Sequence, residues 1–142
     1  MLINQSIISE IKSIITDAKD TAIRAVDNQR TVMYWHIGKR IFEEEQQGKD
    51  RADYGNYLIK FLSEQLQPEF GSGFSIRQIN LYRQFYRTFP IVHTLYAQLS
   101  WSQYKLLLSV DSEDKRTFYI EECKKNNWTV RQLERQIDSS LY

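Results

Sequence analysis

Apolar residues follow a helical rhythm from the start of the chain. Ile7, Ile11, Ile14, Ala18, Ala22 and Ala25 recur at steps of three and four residues, which aligns them on one face of an α-helix. Val32, Trp35, Gly38 and Phe42 extend the series. The pattern predicts either one long helix over about Asn4 to Gln47 or two helices broken near Asp27–Asn28, with Gly48 as the stop. Glu43, Glu44 and Glu45 stand near its C-terminal end, where the helix dipole disfavours anions. They read as a solvated face.

A second stripe, Tyr54, Leu58, Phe61, Leu62 and Leu66, predicts a helix over Asp53 to Gln67 that Pro68 ends. A turn-rich connection follows, from Pro68 to Phe74. Three capping boxes then announce three helix starts: Ser75 with Gln78, Ser100 with Gln103, and Thr129 with Gln132. In each, the hydroxyl accepts from the third backbone N–H, and the glutamine reaches back to the cap residue's own N–H. Another helix is expected from Asp111 or Ser112 to about Asn126, with Phe118, Ile120 and Cys123 as its apolar positions. No segment alternates as a strand would. The chain reads as all-α, about six helices in a single domain over residues 1–142. Residues 1–50 form the long helical segment, and residues 51–142 a helix-turn-helix-like bundle.

Composition narrows the class. The 142 residues suffice for one domain with a core of its own. Hydrophobic residues at 42% and charged residues at 26% exclude a disordered chain. Nineteen Lys and Arg against eighteen Asp and Glu leave a net charge of +1, which excludes a globally basic coat for nucleic acid. One cysteine, Cys123, forms no internal disulfide, and two histidines add little for zinc. No metal or organic cofactor is expected. No apolar run approaches ~20 residues and the start lacks a signal-peptide pattern, so a cytoplasmic location without membrane contact is expected.

The near-zero net charge hides a local imbalance. From Phe70 to Val110 there is no Asp or Glu, while Arg77, Arg83, Arg87 and Lys105 fall in that window. A polyanion path needs such an acid-free surface. Counting about 100° per residue from Arg77 along the helix Ile76 to Phe89, the residues Ile79, Leu81, Tyr82, Phe85, Tyr86 and Phe89 cluster on one side. Arg77, Asn80, Arg83, Gln84 and Arg87 take the other side. Those side chains suit bidentate contacts to bases and phosphates. A preceding helix, a Gly-containing connection of about seven residues and a capped second helix outline a helix-turn-helix or looser helix-loop-helix.

Other chemistry is set aside. Glu122-Cys123-Lys124, with Asp111 and Asp114 upstream, matches half of a metal-dependent nuclease signature, yet that chemistry needs its acids on adjacent strands. His36 reads as structural, and His93 has no acidic neighbour in sequence. Gly71-Ser72-Gly73 lacks the lysine and the preceding strand of a phosphate loop. Trp35, Trp101 and Trp128 read as core anchors.

Four blocks carry a family resemblance. Tyr34-Trp35-His36-Ile37-Gly38-Lys39-Arg40-Ile41 resembles the Tyr-Trp-x-Ile-Gly-x-x-Ile signature of the bacterial YhcG-type family. Gly73-Phe74-Ser75, Asn80-Leu81 and Arg83-Gln84-Phe85-Tyr86 are similar to its second block. Leu99-Ser100-Trp101-Ser102 resembles the third. Asn127-Trp128-Thr129-Val130-Arg131-Gln132-Leu133-Glu134-Arg135-Gln136-Ile137 resembles the closing helix. The resemblance implies an N-terminal helix-turn-helix-like DNA-binding module ahead of a nuclease-like domain of the PD-(D/E)XK type. The chain stops at Tyr142, where that second domain would begin, so it is expected to be a truncated piece or a natural short member and not itself an enzyme.

Two readings follow. In the first, Arg77, Asn80, Arg83, Gln84 and Arg87, extended by Lys105, bind DNA, with RNA as the alternative polyanion. In the second, the Ile and Ala stripe of the first segment docks onto a second copy or another protein.

Overall fold

The computed structural model describes residues 5–48, 53–91, 95 and 99–140; His93 lies outside them. Six α-helices carry the described chain: α1 Gln5–Gln47, α2 Tyr54–Phe70, α3 Ile76–Thr88, α4 Trp101–Leu108, α5 Glu113–Asn126 and α6 Val130–Asp138. A 3-10 turn, Ser72–Phe74, joins α2 to α3. No strand occurs among the described residues.

α1 runs unbroken past Asp27. The Asp27 carboxylate accepts from the Trp101 backbone N–H at 3.3 Å, at the first turn of α4, where an anion complements the helix dipole. The series read from the sequence does not stay on one side. Ile7, Ile11 and Ile14 are exposed, whereas Trp35, Gly38 and Ile41 are buried. On a 3.6-residue period the buried set Thr31, Trp35, Gly38 and Ile41 centres on the side roughly opposite to Ile7, Ile11 and Ile14. The expected continuation through Trp35, Gly38 and Phe42 is therefore a second face, and only that second face meets the bundle.

The α1–α3 pair is the most extensive helix contact, and α3 also touches α2 and α4. Gly38 makes the approach possible. A Cβ there would lie 2.0 Å from the Tyr82 carbonyl oxygen, so only glycine admits the α3 backbone. Around this crossing Tyr34 stacks on Tyr82 with ring centroids 4.3 Å apart. The Trp35 indole N–H donates to the Phe89 carbonyl at 2.6 Å, and the Tyr82 hydroxyl donates to the Gly73 carbonyl at 2.7 Å. Phe85, Trp101, Tyr104, Leu107, Tyr119 and Leu133 complete the main core. Ile41, Ile59 and Ile79 form a smaller cluster between α1, α2 and α3.

Two boundaries differ from expectation. Pro68 lies inside the last turn of α2. The proline gives up its own N–H bond and its ring crowds the carbonyl four residues back, yet the helix continues until Gly71, at φ +91°, turns the chain. The connection to α3 is therefore 71–75, shorter than the sequence suggests. At Ser75 the hydroxyl accepts from the Gln78 N–H at 3.2 Å, but the reciprocal glutamine bond is absent; full capping boxes form at Ser100 and Thr129.

Candidate nucleic-acid interface

α3 presents the two faces its periodicity predicts. Ile79, Tyr82 and Phe85 are buried, Arg77, Gln84 and Arg87 are exposed, and Asn80 and Arg83 are partly buried. Ser75 caps its N-terminus, and the burial of Ile79, Tyr82 and Phe85 decides which way its polar side faces.

That side is less open than the sequence implies. Arg83 Nη1 lies 3.1 Å from Glu45 Oε2, with both side chains only 19% exposed. Nη2 of the same guanidinium donates to Asn80 Oδ1 at 2.8 Å. Glu45 thus leaves the solvated face expected for the acidic triplet. α1 passes beside α3, and Gly55 at the start of α2 leaves the space: a Cβ there would sit 2.5 Å from Glu45 Oε2. Its other oxygen, Oε1, is buried with no hydrogen-bond partner among the described residues. Glu44 pairs instead with Arg40 at 3.1 Å, and Glu43 is exposed. One glutamate of three reaches α3.

The amides are tied down as well. Gln84 Nε2 donates to the Leu108 carbonyl at 3.1 Å, linking α3 to the end of α4. Asn80 Nδ2 donates to the Ile76 carbonyl at 3.1 Å. The expectation of five groups projecting freely is therefore corrected: Arg83, Asn80 and Gln84 are braced, and Arg77 and Arg87 extend into solvent.

Packing adds a residue that periodicity could not. An open groove of about 910 Å³ runs between the polar side of α3 and the first turns of α5, lined by Asn80, Arg83, Gln84, Arg87 and Arg116. Arg116 is held by donation from Nη1 to the Val110 carbonyl at 2.8 Å. One carboxylate, Glu113, also lines the wall. Arg77 and Lys105 lie outside the groove, Arg77 at the start of α3 and Lys105 on α4. Arg116 escaped sequence reasoning because α5 mixes charges of both signs; only its position against α3 marks it.

The nuclease-like residues sit in helical context. Glu122, Cys123 and Lys124 lie on α5. Glu122 accepts from Asn126 at 2.9 Å and Lys124 pairs with Glu121 at 3.9 Å. Burial pushes the Cys123 thiol above its ordinary pKa, which suits a packing role. Among the described residues no His, Cys, Asp and Glu converge as a metal site, and no helix is long and apolar enough to cross a membrane.

The sequence pattern of the DUF1016 N-terminal domain matches residues 10–142. The chain is also similar to the protein named "Putative nuclease YhcG" of Escherichia coli (strain K12), 34% identical over 170 aligned positions that cover 97% of this chain. It spans about 45% of the length of that relative. No solved structure matches it.

Proposed function

The chain belongs to the DUF1016 N-terminal domain family, and from that premise we propose that it is a DNA-binding module of a nuclease-associated protein. The observation that carries this reading is the groove between α3 and α5, where Arg83, Arg87 and Arg116 gather around the amides of Asn80 and Gln84. α2 and α3 take the helix-turn-helix-like roles. Arg87 and Arg116 bind phosphates within the groove, and Arg77 meets the strand one turn before it. Arg83, held against Glu45, orients Asn80 more than it contributes charge. Lys105 widens the basic surface from α4. A relative named as a nuclease supports a nucleic-acid partner, and guanidiniums suit the phosphate backbone.

Fluorescence anisotropy with a labelled duplex tests the proposal. Three neutralised phosphates give a log–log salt slope of about −3. Arg77→Glu/Arg87→Glu and, separately, Arg116→Glu are expected to weaken binding at least tenfold and to flatten that slope. Unchanged affinity in both variants overturns the proposal. A parallel titration with a single-stranded RNA of equal length decides between the two nucleic acids.

A further inference from the structure

The N-terminal half of α1 is exposed at every residue from Gln5 to Val26. It extends about 30 Å at 1.5 Å per residue, with nothing packed on it among the described residues. Such a helix is marginal unless an apolar face finds a partner. The face is present: Ile7, Ile8, Ile11, Ile14, Ile15 and Val26 are 43–66% exposed. With Ala18, Ala22 and Ala25 they occupy an arc of roughly 120°. The buried set Thr31, Trp35, Gly38 and Ile41 centres on the other side, so the bundle does not obstruct it.

The charges beside the first part of this arc, up to Lys19, are sorted by sign. Lys12 and Lys19, continued by Arg30, follow one edge, and Glu10 and Asp17 the other, each roughly 100° from its centre, with Arg24 following a further two turns along the acidic side. All six are exposed. None of the salt bridges among the described residues engages them. In a parallel pair of identical helices, the left edge of one lies beside the right edge of the other. Lys12 then faces Glu10 of the second copy, and Lys19 faces its Asp17. An antiparallel pair sets the basic edges against each other and the acidic edges against each other. We infer that the occupant of this face is the same segment of a second copy of this chain, aligned in parallel. The apolar arc supplies the attraction, and the sorted charges select the direction. Both bundles then lie at the same end of the pair.

The 142-residue chain tests this directly. At about 100 µM, light scattering is expected to give twice the 17.0 kDa protomer mass. The double variant Ile11→Asp/Ile15→Asp is expected to give the protomer mass while its near-ultraviolet circular dichroism, which reports the aromatic core, stays unchanged. Under mild oxidation Ile8→Cys and Ala25→Cys should each form a disulfide with its own kind. A wild-type protomer mass at that concentration overturns the proposal, as does a dimer that survives both aspartates. Cross-linking only between an Ile8→Cys chain and an Ala25→Cys chain overturns the parallel arrangement.

Discussion

Gly38 sets how closely α1 and α3 approach. Its missing side chain admits the Tyr82 carbonyl, and the neighbouring Trp35 and Tyr34 close over the crossing from α1. Gly38→Ala has no flexible neighbour to displace, since the obstacle is backbone. We expect it to cost about 1–3 kcal/mol, with a Tm lower by about 5–10 °C in thermal denaturation. Tyr82 adds a pH dependence. Burial, with Tyr34 as a lesser cause, raises its hydroxyl above the ordinary 10.0, and its proton is donated to the Gly73 carbonyl. The folded value exceeds the unfolded one, so this contribution is complete below pH 10.0 and is lost as the pH climbs through the folded value. Denaturant titrations should show stability falling above pH 10.0, with a flatter fall in Tyr82→Phe. The role of Tyr82 was half legible: periodicity put it on the inner face of α3, but nothing in the spacing indicates that its hydroxyl finds Gly73.

Helix starts were the most legible elements, because a cap is a local bargain between a hydroxyl and an N–H a turn away. Ser100 and Thr129 form the capping boxes as read, Ser75 forms the hydroxyl half of its box, and the helix expected from Asp111 or Ser112 starts after Ser112, which caps it. What a capping glutamine does beyond its own turn was hidden. Gln103 is buried, accepts from the Ser100 N–H at 2.8 Å and donates to the Trp128 carbonyl at 2.8 Å. It therefore ties α4 to the turn before α6. Gln132 makes the equivalent capping bond in an exposed setting. Gln103→Leu should cost about 2 kcal/mol by urea denaturation and Gln132→Leu about half that, because only the first also removes a hydrogen bond between elements, to the Trp128 carbonyl. Helix ends were less legible. Pro68 suggested a stop, but α2 runs two residues past it and ends where Gly71 takes a positive φ.

At the scale of the whole molecule, α1 does two jobs. Its C-terminal part belongs to the bundle, and its N-terminal part stands clear of it. The blocks that carry the family resemblance fall largely on the first job. Trp35, Gly38, Leu99, Trp101 and Leu133 are buried, and Ser75, Ser100 and Thr129 cap helices. They specify the scaffold, while the groove depends on arginines brought together from α3 and α5. The chain by itself determined the all-α class, the helix starts and the two-sidedness of α3, since each arises from neighbours within a turn or two. Tertiary structure alone decided that Glu45 neutralises Arg83, that Arg116 joins Arg87, and that the face of α1 changes sides. Those outcomes depend on how helices cross, and the crossing is set by side chains distant in sequence meeting around Gly38 and Gly55.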